Sequence, residues 1–112
     1  MDKCIKTGVF ISGHGFGHGT RTCAILREIS RLIPCDFDIF SNLPTWFFQQ
    51  NLSPLNFTLH HVKTDIGLVQ KTPFVHDLDE TVNQLKEFVR FDSKDFIFCE
   101  RLVRRKKHDL LI

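Results

Sequence analysis

Tyrosine is absent from this chain and tryptophan and methionine occur once each, so the 12% aromatic content is carried almost entirely by twelve phenylalanines. Such a set suits core filling, whereas surfaces that stack bases mix aromatics with a basic groove. An excess of one charge is also lacking: 15 Lys and Arg against 13 Asp and Glu leave +2, too little to point to nucleic acid. No apolar run approaches the roughly 18 residues that span a bilayer. The start, Met1-Asp2-Lys3-Cys4-Ile5-Lys6-Thr7, lacks the apolar stretch and small-residue cleavage site of an export signal. The four cysteines, Cys4, Cys23, Cys35 and Cys99, contain no C-x-x-C pair. Without an export signal they read as reduced, mostly buried thiols, and the expected compartment is the cytoplasm. What is present is ordinary for a globular chain: 112 residues, 42% hydrophobic and 25% charged, enough for one domain and too few for two.

Thr7-Gly8-Val9-Phe10-Ile11-Ser12 is a short β-branched and apolar run that predicts a buried first strand. Gly13 to Gly19 follows as a loop with four glycines in seven residues. Thr20 is the expected N-cap of a helix through Ile33, with Ile25, Leu26, Ile29, Leu32 and Ile33 on its apolar face and Pro34 ending it. Phe37 to Ser41 alternates as a second strand. Pro44 fits the first turn of a short helix carrying Trp46, Phe47 and Phe48. Asn56 to Val62 predicts a third strand, and Thr64 to Pro73 has no period and is expected to be a loop. From about Asp77 the spacing of Leu78, Val82, Leu85, Phe88 and Val89 predicts a helix. After an interruption at Asp92-Ser93-Lys94, Phe96, Cys99, Leu102 and Val103 continue a helical face to about Lys107. Asp109-Leu110-Leu111-Ile112 begins a fourth strand.

Strands alternating with helices across short connections predict a Rossmann-like α/β fold, a mostly parallel sheet with helices on both faces. A chain that stops inside an apolar strand leaves an open sheet edge. The expectation is therefore a partial domain over residues 1–112, the opening segment of a longer protein or a truncated product of one.

The glycine loop, between the first strand and the first helix, lies at the carboxyl edge of the sheet, where open α/β folds bind ligands. Glycines let the backbone approach a ligand closely, and free amides at the helix start favour an anion such as phosphate. Two familiar phosphate loops do not fit. Walker A needs a lysine before the helix, which Gly19-Thr20 lacks. The dinucleotide pattern starts at Gly13 and Gly15 but has His18 at its third glycine. Ser41 and Asn42 stand where its acidic residue belongs, with Asp36 and Asp38 too early. His14 and His18 remain. A histidine here can take a proton from a hydroxyl held beside the phosphates, or can simply cap the helix or bond the backbone. The simple role suits His14, and both stay open for His18. Their four-residue spacing offers no zinc site, because no third ligand is evident.

Val9-Phe10-Ile11-Ser12-Gly13-His14-Gly15-Phe16-Gly17-His18-Gly19-Thr20-Arg21 resembles the opening of the GT-B glycosyltransferase superfamily. More narrowly, it is similar to the glycosyltransferase-like module of plant L-arabinokinases and its bacterial relatives, which typically reads G-H-G-F-G-H-A-T/S-R; Gly19 replaces the alanine here. Asp65-Ile66-Gly67-Leu68-Val69-Gln70 resembles the same group's later D-x-G-x-x-Q segment. The likeness covers essentially the whole chain.

This resemblance implies the first part of the N-terminal domain of a two-domain protein, whose missing C-terminal domain would hold most of a nucleotide-sugar donor. It implies sugar transfer from that donor to an acceptor hydroxyl, hexosyltransferase-like, with His18 as catalytic base and no cofactor or metal. By the same resemblance the substrates would be met by Gly13, His14, Gly15, Phe16, Gly17, Gly19, Thr20, Arg21, Asp65 and Gln70. For Asp65 a loop-capping role stands beside this one, and for Arg21 a solvated helix position. The alternative function is a non-catalytic module that binds a sugar phosphate or nucleotide, since fold does not fix activity. The chain alone is expected to be inactive.

Three other features have ordinary readings. Arg101, Arg104, Arg105, Lys106 and Lys107 suit a helix C-terminus; weak peripheral membrane contact ranks behind that, and nucleic acid last. His60 and His61 are strand neighbours that point to opposite faces and do not share a metal. Trp46, Phe47 and Phe48 could line an acceptor pocket, but a short helix packing onto the sheet needs the same residues, and core is the better reading. Cys99, on an apolar helical face, reads as packing.

Overall fold

The structure, a computed structural model, describes residues 4–64, 69–72, 75–88 and 93–112. Its centre is a parallel sheet in the order β3-β2-β1-β6. β1 (Ile5–Phe10) lies beside β2 (Cys35–Ser41) with Gly8 opposite Asp38, and β2 lies beside β3 (Phe57–His61). β6 (Leu110–Leu111) pairs with β1 at Thr7 and Gly8. All the strands of this sheet run the same way, so each must be reached by a crossover, and the helices fill those crossovers.

Strand alternation sends Val9, Phe37 and Ile39 to one face. There they meet Cys23 and Leu26 of α1 (Gly17–Leu32) and Phe47, Phe48 and Leu52 of α2 (Thr45–Leu52). Phe40 points the other way, into a smaller cluster with Val62 and with Leu102 of α4 (Lys94–Lys106). On that face Phe10 stacks on Phe40 with ring centroids 4.6 Å apart, a contact worth about 1 kcal/mol beyond its buried area. The sheet is thus covered on both faces, and the Rossmann-like α/β expectation holds.

Three local expectations change. The helix after the glycine loop begins at Gly17, so Thr20 lies inside its first turn, where its amide donates to the Phe16 carbonyl at 2.8 Å. Its buried residues are Gly19, Cys23 and Leu26, whereas Ile25, Leu32 and Ile33 are exposed. The cause is packing at Gly19: a Cβ there would stand 2.7 Å from Phe47 and 2.8 Å from Leu43, so the bare glycine sets the contact between α1 and α2 and with it the rotation of α1. Finally, part of the expected Thr64–Pro73 loop is strand. β4 (Val69–Thr72) and β5 (Val75–Asp77) pair antiparallel.

α3 (Leu78–Phe88) starts where the spacing places it, but none of its residues is fully buried, and Leu78, Val82 and Leu85 are exposed. Val89 lies outside the described residues. α4 is capped by Ser93, whose Oγ accepts from the Phe96 amide at 3.1 Å. Pro44 stands one residue before α2 as its N-cap. Among the described residues no helix is long and apolar enough to cross a membrane.

Candidate functional site

β1 delivers the chain to the carboxyl edge, and the loop from Ile11 to Phe16 turns it into α1. Two interactions hold the loop down. The Thr64 hydroxyl donates to the Ile11 carbonyl at 2.9 Å, tying the loop to the segment after β3, and the His14 amide donates to Ser12 Oγ at 3.3 Å. Asn42 packs where a Cβ on Gly13 would sit, so glycine is required there for space. Gly15 has φ +82° and open surroundings, a left-handed backbone that favours glycine. Gly17 is also open, whereas Gly19 is buried beneath α2. The sequence treats these glycines alike as points of ligand approach; in the structure Gly15 and Gly17 face open space and Gly19 serves helix packing.

The start of α1 is bare. Phe16 is the N-cap and its side chain makes no cap hydrogen bond, and the first turn holds no acidic residue. The first amides of an α-helix have no carbonyl partner within it, and the helix dipole adds partial positive charge there. His18 lies in that first turn, exposed, and lines a pocket of about 330 Å3 with Phe10, Ile11, Ser12, Thr22 and Thr64. Hydroxyls from the loop, the helix and the segment after β3 therefore share one recess with an imidazole. Size does not single it out, because a groove along α4 measures about 680 Å3. Its distinction is the convergence of sheet edge, uncapped helix and titratable ring.

The other expected residues divide. His14, Thr20 and Arg21 are exposed around the loop. Phe16 is 46% exposed and leans on Trp46 and Phe47. Gln70 lies in β4, opposite His76 in backbone register. Asp65 lies outside the described residues. Among the described residues, no group of three or more His, Cys, Asp or Glu could hold a metal ion.

A second cluster escaped the sequence entirely. Asp38, its side chain only 9% exposed, receives Lys106 Nζ at 2.8 Å, His60 Nε2 at 2.9 Å and His108 Nε2 at 2.8 Å. Burial by itself would raise its carboxyl. The hydrogen bonds from Lys106, His60 and His108, with the Lys106 charge, outweigh burial and hold it down at about 2. Gly8 makes the room: a Cβ there would lie 2.7 Å from Leu111 and 3.5 Å from the His108 ring. The His108 side chain is fully buried, and its Nδ1 has no partner among the described residues. The cluster lies in mid-sheet and ties the end of α4 and the approach to β6 onto β2. Lys106 is therefore a partner of Asp38, and Arg104 pairs with Glu100 at 3.0 Å, so the basic run does more than face water. His60 and His61 do part: His61 Nε2 lies 3.1 Å from Thr45 Oγ1, on a different element.

All four cysteines are free; Cys23 is buried, Cys35 and Cys99 are half-buried and Cys4 is exposed. Burial pushes the Cys23 thiol up to about 11 against the opposing pull of Arg27, so it is a packing residue and not a nucleophile.

No family model matches the chain, and no curated protein or solved structure matches it.

Proposed function

We propose that this chain is the acceptor-side part of a glycosyltransferase-like protein, with His18 as the base. The observation that carries the reading is the placement of an exposed imidazole in the uncapped first turn of α1, inside a hydroxyl-lined recess at the carboxyl edge of a parallel sheet. In this reading His18 takes the proton of an acceptor hydroxyl. The hydroxyl oxygen forms a bond to the anomeric carbon as the bond from that carbon to the nucleoside diphosphate breaks, and the diphosphate leaves with the electron pair. The free amides of α1 favour the anionic side of that reaction. In this reading a second domain of the same superfamily's kind would hold the donor.

The test is His18→Ala in a version carrying both domains. Transfer should fall by about 10²- to 10⁴-fold, read as product formed from nucleotide-sugar donors. Unaltered turnover would remove His18 from the mechanism.

One observation favours a second reading. Among the described residues, no carboxylate is bonded to the His18 ring, and a catalytic histidine commonly has one to orient it. A module that binds a sugar phosphate or nucleotide without chemistry needs no such partner. It would retain ligand in the intact protein and yield no glycosyl product with any donor.

A further inference from the structure

We infer that Phe16 and Trp46 form a shelf beside the glycine loop that binds the ring face of a neutral sugar, the acceptor of the proposed transfer. The word acceptor rests on the function proposed above; the shelf itself rests on other residues. The sequence offers Trp46, Phe47 and Phe48 to the core first and to an acceptor pocket second, and Phe16 to a substrate. In the structure α2 turns Phe47 and Phe48 inward, at 4% and 0% exposure, and leaves Trp46 52% exposed beside Phe16 at 46%. Two large rings in water are unfavourable by roughly 25 cal/mol for each Å2 left uncovered, and the fold gains little from their outer faces.

The pair is rigid. Phe16 and Trp46 have centroids 5.7 Å apart, and the buried Phe47 ring braces both from beneath, 5.2 Å from Phe16 and 6.2 Å from Trp46. Contact with the buried Phe47 ring limits where the two outer rings can go, which lowers the cost of ordering them around a ligand. The pair also sits at the sheet edge that bears His18. Phe16 is the N-cap of α1, and Trp46 is in the first turn of α2, the helix that follows β2.

The rim decides the ligand class. Gln49 and Gln50 are exposed, and they follow Trp46 by three and four residues, which places them on its side of α2. Thr45, bonded to His61, stands at the helix start. α2 (Thr45–Leu52) carries no charged residue at all. An apolar face bordered by neutral amides and a hydroxyl complements a pyranose, which presents C–H groups on a face and hydroxyls around its edge. A nucleotide would call for cations beside the aromatic surface, and a lipid surface would call for more basic or apolar residues on this helix.

Trp46 is the only tryptophan in the chain, so its fluorescence reports this site alone. The full chain is titrated with a panel of methyl pyranosides, with uridine monophosphate and with inorganic pyrophosphate. At least one pyranoside should shift or quench the emission saturably at millimolar concentration. Its affinity should fall about tenfold in Phe16→Ala and in Phe16→Leu, the latter keeping an apolar side chain should the former unfold. The idea is overturned if no pyranoside perturbs Trp46, if the effect survives both Phe16 variants in folded protein, or if only uridine monophosphate acts. Calorimetry with pyrophosphate separates the two readings. Pyrophosphate bound with every pyranoside ignored removes the shelf and leaves the loop; a pyranoside bound with pyrophosphate ignored does the reverse.

Discussion

Around Asp38, Lys106, His60 and His108 converge on one buried carboxylate; around His18, an exposed imidazole shares a recess with the half-buried hydroxyls of Ser12, Thr22 and Thr64, and among the described residues no carboxylate joins them. Both regions gather histidine and polar groups on the same sheet, and both looked alike as isolated letters in the sequence. They differ in whether the polar groups satisfy one another. Where they do, in mid-sheet and out of water, the cluster stabilises the fold. At the edge, the His18 ring is open to solvent, and that exposure is what the proposed function uses.

The comparison breaks first at Asp38. Replacing it by Ala leaves the Lys106 charge and two imidazoles without their acceptor, and unfolding in urea should show a loss of about 3 kcal/mol, the lower end for a buried pair because Lys106 keeps part of its side chain in water. Adding Lys106→Met should return part of that loss, since it removes the stranded cation. A loss below about 0.5 kcal/mol would mean that the cluster is no more structural than an ordinary surface contact.

Acid provides the next effect in size. The Asp38 carboxyl is held at about 2 in the folded chain, below the ~3.9 of an unfolded aspartate. Its contribution is therefore complete above ~3.9 and is lost as pH falls through the folded value, on the order of 2 kcal/mol in all. Stability measured across this range should drop in the parent chain and drop less in Asp38→Asn, which has no carboxyl to protonate. Equal slopes in the two proteins would assign the acid sensitivity to other groups.

The same contrast explains what could be read in advance. β1, β2 and β3 announce themselves because Val9 in β1, Phe37, Ile39 and Phe40 in β2, and Phe57 and Leu59 in β3 belong to local patterns of apolar residues, and the glycine loop is legible as composition. The start of α1 was hidden because glycine is a poor helix former, so Gly17 and Gly19 read as loop. Gly19 is helical for a reason held elsewhere, in Phe47 and Leu43. The Asp38 cluster is invisible for a related reason: its partners lie 22, 68 and 70 residues away, and only the register of Gly8 against Asp38 makes space for His108. Trp46 differs again, since its neighbours Phe47 and Phe48 do enter the core, and no local pattern says that the first ring of the three stays outside.

Gly19 sharpens that lesson at smaller cost. Gly19→Ala improves intrinsic helix propensity by about 1 kcal/mol, yet its Cβ would press on Phe47 and Leu43, and overpacking costs about 1–3 kcal/mol. The net expectation is a destabilisation of about 1 kcal/mol in urea, recovered when Phe47→Leu opens the space. A stabilised Gly19→Ala protein would show that α1 and α2 can part without penalty, and the glycine would then belong to the loop's chemistry and not to its packing.

The smallest effect on stability is expected at the residue proposed to matter most for function. His18 is exposed in the first turn of α1, and no hydrogen bond joins its ring to another described residue. His18→Ala should therefore shift the unfolding free energy of this chain by no more than about 0.5 kcal/mol, with a slight gain possible from alanine's helix propensity. A loss of 2 kcal/mol or more would class His18 with His60 and His108 as a structural histidine, and the loss of transfer in the same variant would then report unfolding. Near-neutral stability together with lost transfer is the combination that only a ligand-facing imidazole produces, because it separates the group the fold uses from the group the fold leaves free.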